Sequence, residues 1–344
     1  MDNRRGLVRS VVLLTVTFVA TFALLGGLAL GLAQRDPGGG ATSAAATPSP
    51  AASATAAGSD PPSPSLPSGS PPAPSGSPAA DPVLVGAGDI GDCDTDEDSA
   101  TAALIEGIPG TVFTAGDNAY PDGTLRQFRE CYDPAWGRFR DRTRPAPGNH
   151  DYSTDGAAGY LEYFGTAAVN EDGDPWYSYD LGAWHVVVLN SECSDVGGCD
   201  PDSPQGRWLA ADLAASAASC TLAIFHEPRF SSGYHGNDRG VAPFWRALYD
   251  AGADVVVNGH DHDYERFAPQ APDGSEDRER GIREFVVGTG GTGLREFAEI
   301  QPNSELRASI SHGVLKLTLR PRGYDWAFIA TSGPFTDAGS ATCH

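Results

Sequence analysis

Five short stretches of this chain combine glycine with carboxylate, imidazole, amide or phenol side chains. They are Gly88-Asp89-Ile90-Gly91, Gly116-Asp117-Asn118-Ala119-Tyr120, Gly148-Asn149-His150-Asp151, Phe225-His226 and Gly259-His260-Asp261-His262. Asp89, Asp117, Tyr120, Asn149, His226, His260 and His262 make a hard-to-borderline donor set. Such a set suits iron, zinc or manganese. His260 and His262 are two residues apart: on a strand they would share a face, and in a loop they can straddle two ions. Each piece alone is an ordinary turn. All five together, each at the end of an apolar run, point to a site for two metal ions.

The runs that lead into them read as strands. Pro82 to Ala87 precedes Asp89, and Thr111–Ala115 precedes Asp117. Arg144-Pro145-Ala146-Pro147 leads into Gly148. Thr221–Phe225 ends at His226, and Asp254–Asn258 ends at Gly259. Helices are expected over 98–108, capped by Asp98 or Ser99, over 157–164, over 203–216 with Ser203 as N-cap and Pro204 at N1, and over 242–251. Leu125–Phe139 is helical only in part, because Pro134 interrupts it. Trp176–Asp180 and Trp184–Leu189 read as a hairpin, and 270–281 as a surface loop. Strands at Arg283–Val287, Val314–Arg320 and Tyr324–Ala330 close the chain. This alternation predicts an α/β domain with a late antiparallel element.

The chain begins with Arg4, Arg5 and Arg9, followed by an uncharged apolar run from Val11 to Ala33. Residues 1–35 are expected to be a signal peptide or a membrane anchor; both remain open, and both export the rest of the chain. Residues 36–81, almost entirely Ala, Ser, Thr, Pro and Gly, are expected to form a disordered linker. That leaves 82–344 as one catalytic domain. The net charge is −22, and the domain carries all of it, since the first 81 residues hold four arginines and four aspartates. A surface so acidic disfavours nucleic acid and anionic lipid. The expected partner is a small molecule, with membrane contact only through an uncleaved N-terminal segment. Cys93, Cys131, Cys193, Cys199, Cys220 and Cys343 all lie in the exported part. Three disulfides are expected, with fifteen pairings possible. Cys193–Cys199, Cys93–Cys131 and Cys220–Cys343 are the pairs favoured here. No CxxC spacing supports a thiolate metal site.

The ordered set GDIG, GDNAY, GNHD, AIFH and GHDH resembles the calcineurin-like metallophosphoesterase superfamily, and within it the purple acid phosphatases. That group is characterised by GDxG, GDxxY, GNH(D/E), xxxH and GHxH. The resemblance implies a four-layer α/β/β/α sandwich of two mixed sheets, with metals at the strand ends. Carried over by motif position, it implies one metal held by Asp89, Asp117, Tyr120 and His262. The other takes Asp117, Asn149, His226 and His260, so Asp117 bridges. Many superfamily members have Asp-x-His in the first motif. Here that position is Gly91, and Tyr120 is the residue that replaces the missing ligand. A phenolate favours ferric iron at the first site; iron, zinc or manganese is implied at the second.

The expected reaction is hydrolysis of a phosphate monoester by a metal-activated hydroxide. His150, beside Asn149, is the candidate general acid or oxyanion stabiliser. His235 matches a substrate-side histidine of the family by its offset from His226, but Gly236 stands where plant-type relatives often have a second histidine. A phosphodiesterase or nucleotidase on the same site is the alternative, as is a non-catalytic metal-containing binding protein. His185, His312 and Trp184 are expected to be structural, Tyr152 to line the pocket, and Gly288–Gly291 to form a tight turn near the metals. No GxGxxG follows the first strand, and no GxSxG occurs.

Overall fold

The computed structural model describes residues 80–344, so the expectations for the N-terminal segment and nearly all of the linker lie outside the described residues. The strands are β1 (Val83–Ala87), β2 (Thr111–Ala115), β3 (Thr143–Ala146), β4 (Tyr177–Leu181), β5 (Trp184–Val188), β6 (Cys220–Ile224) and β7 (Val255–Asn258). After them come β8 (Tyr264–Phe267), β9 (Arg283–Val287), β10 (Ser304–Ala308), β11 (Gly313–Arg320), β12 (Gly323–Ala330) and β13 (Asp337–Thr342). They form a six-stranded sheet in the order β13-β12-β11-β1-β2-β3 and a seven-stranded sheet in the order β10-β8-β9-β7-β6-β5-β4. Both are mixed. β1, β2 and β3 run parallel, as do β5, β6, β7 and β9, while the remaining pairs are antiparallel.

Alternating side chains explain the layers. From the seven-stranded sheet, Val186, Val188, Leu222, Ile224, Val255, Val257, Phe285 and Val287 join one core with Leu84, Val112, Leu315 and Leu317 of the other sheet. The intervening Val187, Ala223, Val256 and Val286 face the opposite way. They pack on Leu209 of α5 (Pro204–Ala215) and on Phe244, Trp245 and Leu248 of α6 (Ala242–Asp250). Strands buried on both faces account for the unbroken apolar runs in the sequence. On the six-stranded sheet, α1 (Glu97–Glu106) supplies Ala102 and Ile105. The short α2 (Leu125–Gln127), α3 (Asn149–Tyr152) and α4 (Ala158–Phe164) complete that layer. This is the expected four-layer α/β/β/α sandwich. Among the described residues, no helix is long and apolar enough to cross a membrane.

Ser203 caps α5 by accepting from Gly206 N–H, with Pro204 in the first turn as expected. α1 departs from expectation: it starts at Glu97, and Asp98 is a buried residue of its first turn, not its cap. Leu125–Phe139 is broken into α2, a π-helical turn at Phe128–Tyr132 and a 3₁₀ segment from Trp136. All three favoured disulfides are present, with Cα–Cα distances of 4.8 Å for Cys93–Cys131, 5.1 Å for Cys193–Cys199 and 5.6 Å for Cys220–Cys343.

Candidate metal centre

The polar motifs lie at the carboxyl ends of β1, β2, β3, β6 and β7, where open α/β sheets collect ligands. Direct backbone bonds join these loops, both within the six-stranded sheet and across to the seven-stranded one. Gly88 N–H donates to Val287 O (2.9 Å), Asp89 N–H to Gly116 O (3.1 Å) and Thr292 N–H to Asp89 O (3.0 Å). The Gly288–Gly291 turn thus buttresses the first motif. Two glycines are needed for this closeness. A Cβ on Gly116, whose φ is +84°, would lie 2.4 Å from His226 Nδ1, and one on Gly148 would lie 2.4 Å from Asp117 Oδ1. Asp89, Asp117 and His260 hold φ values of 60°, 49° and 71°. Left-handed backbone at non-glycine residues costs about 1 kcal/mol or more each, and persists where surroundings over-determine it.

The structure brings all seven expected ligands into one largely buried cluster made of two parts. In the first, Tyr120 Oη lies 2.8 Å from Asp89 Oδ1, 2.9 Å from Asp117 Oδ2 and 3.3 Å from His262 Nε2. His262 Nδ1 faces Gly293 O at 2.8 Å, so its proton belongs there and Nε2 is an acceptor. One phenol proton therefore serves three acceptors. In the second, His226 Nδ1 faces Ala115 O at 2.8 Å. Its Nε2 lies 3.1 Å from Asn149 Oδ1, 3.2 Å from Asp117 Oδ2 and 3.2 Å from His260 Nδ1. At most one proton on Nε2 can serve these groups. Each part has more lone pairs than protons, which is the condition a cation relieves, and Asp117 belongs to both. His260 and His262 straddle the two parts from one loop.

The electrostatics agree. Burial alone would raise the Asp117 carboxyl, but His226 and His150 outweigh it and hold it below the usual carboxylate range. Burial raises the Asp89 carboxyl despite His262 and His226. Burial, with Asp117 and Asp89 beside it, pushes the Tyr120 phenol well up. Burial and the adjacent His226 push His260 down to about 3, leaving it a neutral donor. A bound cation counters the burial and repulsion that oppose ionisation of Tyr120 and Asp89.

At Gly91 a Cβ would lie 2.9 Å from Asn118 O and 3.0 Å from Tyr132 Cα. A side chain at this position would need the backbone around it to shift, while the Tyr120 hydroxyl lies among Asp89, Asp117 and His262. Residues 83–264 match the family of calcineurin-like phosphoesterases. The chain belongs to that family. Within it, the chain is similar to the purple acid phosphatases. It is 30% identical over 200 residues to purple acid phosphatase 15 of Arabidopsis thaliana, covering 47% of this chain and 37% of that one. It is 25% identical over 265 residues to a probable inactive purple acid phosphatase 1 of the same plant, covering 64% of this chain and 41% of the other. The chain thus spans about two fifths of the length of these relatives. A purple acid phosphatase from yellow lupin (Lupinus luteus) seeds shares the fold. Its TM-score is 0.62 at 19% identity, covering 76% of this chain and 53% of that one.

Sequence reasoning passed over the residues that hold the phosphoesterase loops together. Asp151 is fully buried and accepts from Gly148 N–H (3.0 Å), Asn118 N–H (3.2 Å) and Asn118 Nδ2 (2.9 Å), tying the second motif to the third. Asp261, inside Gly-His-Asp-His, accepts from His235 N–H at 2.8 Å and from the Ser231 hydroxyl. Both follow from being the one unassigned acid in a ligand motif. His150 places Nδ1 2.6 Å from Pro121 O and Nε2 3.9 Å from Asp117 Oδ2. His235 stacks on His260 with ring centres 4.2 Å apart. His312 faces Thr292 O and Glu97, and Trp184 is core. Tyr152 Oη accepts from Asn190 Nδ2 at 2.7 Å.

Proposed function

We propose that residues 82–344 are the catalytic domain of an exported phosphatase that hydrolyses phosphate monoesters at a dinuclear metal centre. The observation that carries this reading is the pair of proton-poor donor groups sharing Asp117. Asp89, Asp117, Tyr120 and His262 would hold one ion, expected to be ferric because of the phenol. Asp117, Asn149, His226 and His260 would hold the other, iron, zinc or manganese. When bound, such ions supply Lewis acidity and acidify water.

The protein's own groups supply the rest. Asp117, fixed by His150 N–H at 2.8 Å, holds the two halves in register. His150 gives its Nδ1 proton to Pro121 O, so Nε2 is the atom that faces the substrate side. In its imidazolium form it hands a proton to the departing alkoxide. His235, packed on His260, borders the phosphate position. Export is supported by three disulfides in a chain with no free cysteine among the described residues, and by the charged start and apolar run at the N-terminus. Residues 1–35 act as signal or anchor, and 36–81 as a tether.

The test is hydrolysis of nitrophenyl phosphate against bis-nitrophenyl phosphate by the purified chain. Faster turnover of the monoester is expected. Much faster diester turnover would reassign the substrate class, and no turnover of either by metal-loaded protein would revive the binding-protein reading.

A further inference from the structure

The loop after β9 carries one arginine whose surroundings are unusual for so acidic a chain. Arg295 N–H donates to His262 O at 3.0 Å, and Gly293 O of the same loop accepts from His262 Nδ1 at 2.8 Å. The loop is therefore fastened on both sides to a proposed ligand. The half-buried Arg295 side chain has no carboxylate partner among the described residues. Its Nη1 lies 2.9 Å from His235 Nε2, and its guanidinium carbon lies 5.5 Å from the centre of the Tyr234 ring. A guanidinium has five N–H donors, and a carboxylate or phosphate is its usual partner.

His235 cannot itself reach out to an anion in this arrangement. Its Nδ1 faces His260 O at 3.2 Å and Asp261 Oδ1 at 3.3 Å, and the buried Asp261 also holds its backbone N–H. With Nδ1 protonated, Nε2 is the acceptor for Arg295. Asp261, His235 and Arg295 thus form a line that fixes the guanidinium at the opposite edge of the His235 ring from Asp261. The ring itself stacks on His260. Tyr234, 67% exposed, backs the guanidinium from the solvent side. The free N–H groups of Arg295 stand one imidazole beyond the proposed metal centre.

We propose that Arg295 is a specificity-determining residue: it binds a second phosphate carried by the substrate's leaving group, with Asp261 and His235 as positioning residues. This rests on the reading of the centre as a phosphoesterase site. It assigns substrates with two successive phosphates a contact that simple monoesters lack.

The experiment compares adenosine 5′-monophosphate with adenosine 5′-diphosphate. In Arg295→Ala, the ratio of kcat/KM for the diphosphate to that for the monophosphate should fall on the order of tenfold. Arg295→Lys, which keeps the charge but not the fork, should recover part of it. A role only in folding would lower both substrates together and leave the ratio intact, and that result overturns the proposal. Calorimetric binding of the non-hydrolysable α,β-methylene adenosine diphosphate to the full chain gives a second readout without turnover. Its affinity should drop on the same scale in Arg295→Ala. If the wild type hydrolyses nitrophenyl phosphate but neither nucleotide, or if the affinity for the methylene analogue is unchanged in Arg295→Ala, the Arg295 assignment fails while the phosphatase reading stands; turnover of none of the three overturns the phosphatase reading itself.

Discussion

His185, on β5, and His226, just beyond the neighbouring β6, are both buried, yet their partners differ in kind. His185, on β5, has Asp212 Oδ2 at 2.8 Å from Nε2 and Asp180 Oδ1 at 3.1 Å from Nδ1. Two protons meet two carboxylates, one at each ring nitrogen, and nothing is left over. His226, just past the end of β6, faces Ala115 O with Nδ1 and meets Asn149 Oδ1, Asp117 Oδ2 and His260 Nδ1 at the other nitrogen. Burial is common to both and separates nothing. The number of groups at one nitrogen does: His185 has one carboxylate at each ring nitrogen, whereas side chains from three different loops converge on His226 Nε2. The first pattern is structural, and the second is the proposed metal centre.

The contrast can be broken at its most demanding point. Asp117→Asn removes the carboxylate shared by both donor groups, and should lower kcat/KM for nitrophenyl phosphate by roughly 10³-fold or more. Steady-state kinetics with parallel circular dichroism would check this; a folded variant within tenfold of wild type contradicts the shared role. Next in size is His150→Ala, which should lower kcat by about 10²-fold if Nε2 serves the leaving group. An unchanged kcat would remove His150 from the chemistry.

The smallest effect belongs to His185. Asp212, and less strongly Asp180, raise its pKa above the ordinary histidine value despite burial. A raised folded pKa adds stability below the unfolded value, near 6.5, and that stability is lost as pH rises through the folded pKa. Asp180 is largely exposed, so its share is reduced by solvent. His185→Gln should therefore cost about 1–2 kcal/mol near pH 6 and progressively less in alkaline solution, while phosphatase activity is retained. Urea unfolding across pH would show it. A pH-independent loss would mean that the charged pairs contribute nothing.

The donor residues were legible in sequence because their motifs follow strand-like runs, with glycine directly before Asp89, Asp117, Asn149 and His260. The strand end fixes where such a residue goes, and the motif order fixes its neighbours. Four strands were less legible, for identifiable reasons. β3 contains Pro145, which cannot donate to a ladder; it is tolerated because β3 lies at the sheet edge. β13, Asp-Ala-Gly-Ser-Ala-Thr, and β10, Ser-Glu-Leu-Arg-Ala, are edge strands whose outward residues show no apolar alternation. β8 begins two residues after His262, so the ligand loop hides its start. Asp151 and Asp261 were visible as letters but not as braces, because their partners, Asn118 and Ser231, lie about thirty residues away in sequence. Arg295 has still less local signal: its environment is assembled from the β9 loop, the His235 loop and the His260–His262 loop.

The central claim is that two donor groups joined by Asp117 each hold a cation, one of them through a phenol. Metal analysis of the purified full chain, with its visible spectrum, tests this most directly. Two ions per chain are predicted, with a phenolate-to-iron charge-transfer band that disappears in Tyr120→Phe. A chain that binds one ion or none, or a band that survives in Tyr120→Phe, would contradict it.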